Sequence, residues 1–197
     1  SDGRPGLLMD RDGDTLAVQV LTVGMDTLQP LWLAALVEHF KPTAVIARND
    51  TEERAYEHLP EEVTTLHGES PERVEVEEPG IKLSVDLAAG PRTGHLLDRK
   101  VARQALPFME EARVLDAFCG TGSWAIRAAQ NGAAHVVAVD TAGPYLEMAK
   151  RNAELNSVAD RCRFEVDDAL ESFGLMAANG ETFDVVIVDP PPLARRA

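Results

Sequence analysis

The sequence is poor in cysteine and has neither a long apolar run nor a secretion signal, and each shortage excludes a class of protein. The two cysteines among 197 residues, Cys119 and Cys162, lack metal-site spacing and give no sign of a disulfide framework. The five histidines are scattered, so we predict no metal site. No run reaches the roughly 18 apolar residues that a membrane helix needs, and no signal segment opens the chain. We therefore expect a cytoplasmic protein without a membrane partner.

Basic residues are also scarce. The chain has 19 Lys and Arg against 33 Asp and Glu, a net charge of −14, and many of the acids fall in residues 52–78. This is the wrong sign for an autonomous nucleic-acid binder, because phosphate contacts come from Lys and Arg. The simplest interpretation is a solvated acidic surface that keeps the protein soluble. An RNA substrate would require a basic module that this chain lacks.

A glycine-rich turn follows the apolar residues of the segment 114–122, Val-Leu-Asp-Ala-Phe-Cys-Gly-Thr-Gly, and Asp140 closes a second apolar run at 135–139. A strand that enters such a turn, followed by a helix and a second strand ending in a carboxylate, is typical of sites for adenosine-containing cofactors. Glycine lets the backbone pass close under a ligand, and a carboxylate can accept both ribose hydroxyls. The pattern predicts such a site here.

Asp116 helps to choose between two cofactors. Residues 120–125, Gly-Thr-Gly-Ser-Trp-Ala, also fit a loose dinucleotide fingerprint, which keeps a nicotinamide-dependent oxidoreductase as an alternative. Asp116 lies at the end of the first strand and directs an anion towards the turn. It would repel a pyrophosphate and attract the ammonium of a methionine moiety. The sequence therefore favours S-adenosylmethionine (SAM).

Two more acidic positions extend the pattern. Asp168 follows a strand at 164–166, where a carboxylate can accept a hydrogen bond from an adenine amino group, and the strand 183–188 ends in Asp189-Pro190-Pro191. This succession resembles the class I SAM-dependent methyltransferases. The resemblance implies that the turn frames the methionine end of the cofactor, while Asp140 binds the ribose and Asp168 the adenine. The turn residues assigned to the cofactor are Asp116, Phe118, Gly120 and Gly122.

A narrower resemblance covers nearly the whole chain. The segments 1–11, 90–98 and 116–122 occur in the order seen in ribosomal RNA cytosine-5 methyltransferases, which have an N-terminal PUA domain, a middle α+β domain and a catalytic domain. The resemblance implies that Thr93 and Asp98 lie by the cofactor and that the absent PUA domain is the basic module. The chain departs from the family at Pro91-Arg92, where Gln-Lys is usual, at Arg99-Lys100, where Gln-Arg is usual, and at Cys119, where tyrosine or serine is common.

The resembled enzymes use a cysteine thiolate to attack C6 of cytosine. That cysteine is expected downstream of the Asp-Pro-Pro loop, outside this chain, and Cys119 and Cys162 are interpreted as packing residues. Asp189 remains as the residue that faces the substrate. A non-catalytic fragment that binds a cofactor or a partner stays a second alternative.

The predicted fold is α/β. A small α+β domain, residues 1–80, precedes a Rossmann-like class I methyltransferase sheet in residues 81–197 with the strand order 3-2-1-4. Such sheets usually have seven strands, so the fourth strand is expected to leave an apolar edge. We interpret the chain as a fragment of a longer protein, with a homodimer covering this edge as the alternative.

Local patterns predict further elements. The Asp-Gly pair within residues 10–14 favours a hairpin. One helix is predicted from near Asp26 or Thr27 to just before Pro42, with Trp32 on its buried face. Two more helices are predicted over residues 50–58 and 96–108.

Overall fold

The computed structural model describes residues 5–90 and 93–191, which divide into two compact units. The first unit contains the described residues up to Val76 together with Val85–Leu97. The second contains Glu77–Ser84 and the described residues from Asp98 onwards. The predicted domain boundary at residue 80 stays a prediction.

Four strands form the sheet of the first unit. They are β1 (Leu7–Asp12), β2 (Thr15–Val20), β3 (Ala44–Arg48) and β4 (Val63–Gly68). The sheet has the order β1-β2-β3-β4, in which β2 and β3 run parallel and the two outer pairs are antiparallel. The predicted hairpin is present, because β1 and β2 pair through a turn at Gly13 and Asp14.

The helical segment after β2 is divided in two. Helix α1 (Val23–Thr27) is followed by α2 (Gln29–Phe40), and Trp32 of α2 is buried in the core formed with β2 and β3. The prediction of one helix starting at Asp26 or Thr27 is wrong, because the cap is Thr22, whose Oγ1 accepts a hydrogen bond from the Met25 amide at 3.4 Å. The Trp32 indole donates to the Met25 carbonyl at 2.8 Å and joins the two helices.

The remaining elements before the second unit's main sheet are short. Helix α3 covers only Glu53–Tyr56, so the prediction of a helix over residues 50–58 is too long. His58 adopts a left-handed φ of 55°, which ends the helical geometry before Pro60. Strands β5 (Val74–Glu78) and β6 (Ile81–Val85) then form a two-stranded sheet.

The second unit is an α/β sandwich around a parallel sheet. Its strands are β7 (Arg113–Ala117), β8 (His135–Asp140), β9 (Cys162–Val166) and β10 (Val185–Val188). Its helices are α4 (Lys100–Gln104), α5 (Ser123–Gln130), α6 (Gly143–Leu155) and α7 (Ala169–Ala178). The order β10-β7-β8-β9 is the predicted 3-2-1-4, and the predicted Rossmann-like fold is confirmed.

The predicted helix over residues 96–108 is much shorter in the structure. A 3₁₀ turn at Leu97–Arg99 leads into α4, which ends at Gln104. Pro107 explains the early end, because a residue before proline is disfavoured in helical geometry and proline has no amide to donate.

The parallel sheet brings the predicted site residues to one edge. Asp116 lies in β7 in register with Ala138 of β8 and Ile187 of β10. The glycine turn follows β7, Asp140 ends β8, and Asp189 follows β10. Because all four strands run in the same direction, these carboxyl ends lie together, where ligands bind in open α/β sheets.

Both edge strands of this sheet carry exposed valines. Val166 of β9 and Val186 and Val188 of β10 are each at least half exposed. The predicted subunit contact at the β10 edge stays a prediction.

No helix within residues 5–90 and 93–191 combines the length and the apolar character that a membrane crossing requires.

Candidate functional site

The glycine turn has an unusual backbone. Phe118, Gly120 and Gly122 all adopt left-handed φ angles, of 63°, 53° and 82°. For a bulky residue such as Phe118 this conformation is strained, and strain of this kind concentrates at functional sites. Phe118 packs against the core that contains Leu115 and Val137, which holds the strained backbone in place. Sequence patterns assigned Phe118 to the site but gave no sign of its conformation.

The two glycines serve different purposes. A Cβ on Gly122 would lie 2.8 Å from the Cβ of Ala149 in α6, so only glycine lets α6 pack this close to the turn. A Cβ on Gly120 would meet nothing within 4 Å. Gly122 is therefore required by packing, whereas Gly120 borders open space that a ligand can occupy.

Asp116 is a buried carboxylate without a normal hydrogen bond. It is fully buried, and neither oxygen has a partner of normal geometry among the described residues. Burial raises its pKa from 3.8 to about 8, and the negative charges of Asp189 and Asp140 add to this rise, which the Ala125 backbone amide only partly offsets. A cation brought to this carboxylate would supply the missing partner.

Asp140 connects the turn to the next helix. Its Oδ2 accepts a hydrogen bond from the Gly120 amide at 2.9 Å, and its Oδ1 accepts one from the Ala142 amide at 2.9 Å. A carboxylate oxygen has more than one acceptor position, so Asp140 can also accept ribose hydroxyls. The sequence predicts a ligand at Asp140 and contains no signal for this structural role.

Asp168 caps a helix. Its Oδ1 accepts hydrogen bonds from the amides of Leu170 at 2.8 Å and Glu171 at 3.1 Å, and so satisfies the first turn of α7. The side chain is exposed at the same sheet edge as Asp140. The spacing Asp168 to Glu171 is a capping signal that the sequence analysis did not use.

Asp168→Ser is expected to keep the cap while removing the carboxylate. Serine is as good a cap as aspartate, whereas alanine costs about 1 kcal/mol of stability. If Asp168 also binds adenine, the serine variant retains its melting temperature but binds S-adenosylhomocysteine (SAH) more weakly. Thermal unfolding and calorimetric titration of both variants measure the two effects, and unchanged SAH affinity in the serine variant would remove the adenine assignment.

Asp189 is held by two side chains that the sequence analysis did not assign to the site. Its Oδ2 accepts a hydrogen bond from the Trp124 indole at 3.1 Å and forms an ion pair with Arg99 Nε at 3.0 Å. The one signal available in the sequence was the replacement of the family's usual Gln by Arg99.

Thr93 and Asp98 are in separate units. Thr93 is buried in the first unit, where its hydroxyl donates to Asp10 Oδ2. Asp98 lies in the second unit and forms an exposed ion pair with Arg99 at 3.3 Å. Their roles beside a cofactor stay predictions. Pro91 and Arg92, which depart from the resembled family, lie outside the described residues.

Neither cysteine has the properties of a nucleophile. Burial raises the pKa of the Cys119 thiol well above its usual range, and the charges of Asp116 and Asp140 raise it further. Burial raises the pKa of Cys162 to about 12. Since the thiolate is the reactive form, both residues are inert thiols near neutral pH.

Within the described ranges, no group of three or more His, Cys, Asp or Glu is arranged to hold a metal ion.

The fold and the turn together are typical of one class of fold. A parallel sheet of order 3-2-1-4, a glycine turn after its first strand and a carboxylate after its second make a Rossmann-like methyltransferase fold. The protein family described as "Conserved hypothetical protein 95" matches residues 100–195 of this chain. In sequence and in fold, the chain is similar to class I SAM-dependent methyltransferases.

Curated relatives of the chain carry the name ribosomal RNA large subunit methyltransferase I. The protein from Aliivibrio fischeri strain MJ11 is 37% identical over 197 residues, which cover 98% of this chain and 50% of the relative. The Cronobacter sakazakii protein is 36% identical over 194 residues, covering 97% of this chain and 49% of that relative. The chain therefore spans about half the length of the curated relatives it matches.

Solved structures share the fold. A protein assigned as a methyltransferase and solved in complex with SAH superposes with a TM-score of 0.84 at 25% identity, covering 96% of this chain and 49% of that one. The M. jannaschii tRNA m1G37 methyltransferase has a TM-score of 0.70 at 20% identity, covering 96% of this chain and 56% of that one. At this lower identity the likeness shows the fold alone.

Proposed function

We propose that this chain binds SAM at the glycine turn and forms the cofactor-binding part of an RNA methyltransferase. The observation that carries the proposal is the buried Asp116 carboxylate, which lacks a normal hydrogen bond beneath the turn. The ammonium of a methionine moiety satisfies this group, whereas a dinucleotide pyrophosphate is repelled by it. The same argument disfavours a nicotinamide-dependent oxidoreductase.

The residues around the turn fit the cofactor. Gly120 leaves open space for the ligand, Asp140 has remaining acceptor capacity for the ribose, and Asp168 is exposed at the same edge for the adenine. Phe118 shapes the turn, and we assign a supporting role to Asp98 of the same unit. SAM supplies a methyl group on a sulfonium centre, and the protein's main contribution is to hold the nucleophile in line with it.

We propose that the substrate is a cytosine base of large-subunit ribosomal RNA. The curated relatives are named as large-subunit ribosomal RNA methyltransferases, and the resemblance to cytosine-5 enzymes adds the base. Asp189 faces this substrate and accepts a hydrogen bond from it. The thiolate nucleophile lies beyond these 197 residues, since the pKa values of the Cys119 and Cys162 thiols are both raised.

The RNA is bound with the help of a basic module outside these residues. The net charge of −14 supports this, because phosphate binding requires Lys and Arg. A PUA domain, as in the resembled family, would supply such a surface. Removing the module from the natural protein would weaken RNA binding without changing SAH affinity.

SAH is expected to bind more tightly as the pH rises from about 5.5 to about 7, because the ionised form of Asp116 attracts the ligand ammonium. Since the pKa of Asp116 is raised to about 8 by burial, binding in this range releases a proton. Affinity then rises by up to about tenfold per pH unit. Calorimetric titration in two buffers of different ionisation enthalpy measures the released proton, with NADH as the parallel ligand.

Asp116→Asn provides the control. It is expected to bind SAH without proton release and with little pH dependence. In the unliganded protein, pH affects stability in the opposite direction to SAH affinity. The pKa of Asp116 is higher in the folded than in the unfolded protein, so stability decreases as the pH rises from 3.8 to about 8. In Asp116→Asn, this decrease in stability with rising pH is expected to be smaller. Equal proton release by both proteins, or tight binding of NADH alone, would overturn the cofactor assignment.

A further inference from the structure

Asp189 receives two donors on one oxygen. Trp124 Nε1 and Arg99 Nε approach Oδ2 at 3.1 and 3.0 Å, from the first turn of α5 and from the 3₁₀ turn before α4. Within residues 5–90 and 93–191, Oδ1 has no such donor. The carboxylate is therefore fixed by one oxygen, while the other keeps its full capacity to accept.

The Trp124 ring is supported from a third direction. The Arg103 guanidinium lies 6.0 Å from the centre of the ring, a cation–π distance. Arg103 in turn pairs with Glu78, and both side chains are almost completely buried. The indole ring therefore lies beside a buried ion pair, which restricts the positions that the ring can take.

We propose that Arg99 and Trp124 are positioning residues, which hold Asp189 so that Oδ1 receives an N–H group of the substrate base. The inference rests on the proposed function, because it assigns the substrate-facing role to Asp189. Arg99 forms an ion pair with the Asp189 carboxylate, and Trp124 fixes its orientation by a hydrogen bond to the same oxygen. A base that presents an exocyclic amine, as cytosine does, satisfies Oδ1. A carbonyl oxygen in the same place is repelled.

The contact is testable without a substrate. The chain has two tryptophans, and the Trp32 indole donates to Met25 in the first unit, so two indole N–H signals are expected in a nitrogen–proton NMR spectrum. Asp189→Asn and Arg99→Gln should shift the Trp124 signal and leave that of Trp32 in place. Arg99→Lys should restore much of the original shift. Lys150→Gln, which removes an exposed ion pair on α6, serves as the control.

The positioning role requires a second readout in the natural full-length protein. Transfer of labelled methyl groups from SAM to large-subunit ribosomal RNA should fall about tenfold or more in Arg99→Gln and Trp124→Phe, the loss expected for a hydrogen bond to a charged group. Arg99→Lys should recover part of this loss. SAH affinity should change less than about twofold in Trp124→Phe. A larger change is compatible with the inference in Arg99→Gln, because Arg99 also forms an ion pair with Asp98 at 3.3 Å.

The outcomes separate this inference from the proposed function. An unmoved Trp124 signal in Asp189→Asn and Arg99→Gln overturns the positioning inference, whatever the activity. A shifted Trp124 signal with unchanged methyl transfer would show that the contact is only structural. This result would also overturn the positioning inference. If the unaltered protein binds no SAH and transfers no methyl group, the proposed function fails, and the NMR arm alone decides whether Arg99 and Trp124 orient Asp189.

Discussion

Replacing Glu78 with alanine is expected to lower the free energy of unfolding by about 3–5 kcal/mol, the usual result of leaving one charge of a buried ion pair alone. Glu78 accepts from Arg103 Nε at 3.2 Å and from a second guanidinium nitrogen, in a bidentate pair that is almost fully buried. Its charge also acts on Arg127, whose pKa is lowered first by burial and then by Arg103, and raised by Glu78. Without Glu78, two neighbouring guanidinium groups lose their common anion.

The adjacent residue provides a matched control. Glu77 pairs with Lys82 at 3.1 Å, but both side chains are more than half exposed. Glu77→Ala is therefore expected to cost less than about 1 kcal/mol. Urea unfolding of the two variants gives both values under the same conditions. Similar losses for Glu77→Ala and Glu78→Ala would show that burial of the Arg103 pair contributes little to stability.

The two glycines of the turn are expected to respond differently to the same substitution. Gly122→Ala should destabilise the fold by about 2–4 kcal/mol, because its Cβ meets Ala149 at 2.8 Å and its φ is left-handed. Gly120→Ala should cost less, about 1–2 kcal/mol, because its φ is also left-handed but its Cβ enters open space. That space is where we place the ligand, so SAH affinity should fall by about tenfold or more in Gly120→Ala, equivalent to 1.4 kcal/mol.

Gly174→Ala is the control for this pair. Gly174 lies within α7, a Cβ there meets nothing within 4 Å, and its φ is not left-handed. The substitution should stabilise the helix by about 1 kcal/mol and leave SAH binding unchanged. Thermal unfolding and calorimetric titration of all three variants test the expectation. Normal SAH affinity in a folded Gly120→Ala protein would move the ligand away from this turn.

Helix boundaries were the least accurate part of the sequence analysis. The predicted helices over 50–58 and 96–108 are shortened to α3 and α4, and the predicted helix from Asp26 is divided at Leu28. The breaks depend on local competition, such as the Thr22 cap or the clash before Pro107, which periodicity does not record.

Burial was the other source of error. Glu78 belongs to the acidic run that the sequence analysis interpreted as solvated surface, yet it is buried against Arg103, 25 positions away in the chain. Trp124 and Arg99 were likewise not connected with Asp189, which follows them by 65 and 90 positions. Local sequence contains no signal for such pairs, because only the folded chain brings them within hydrogen-bond distance.

The sequence by itself determined the parallel sheet, its strand order and the edge at which its acidic residues gather. Alternating apolar strands and amphipathic helices admit few right-handed arrangements, and parallel strands place their carboxyl ends together. Only the tertiary structure decided the state of each acid: Asp116 buried with a raised pKa, Asp140 bound to the Gly120 amide, and Asp189 paired with Arg99. The reason is that protonation and hydrogen bonding depend on burial and on distant neighbours, which tertiary packing sets.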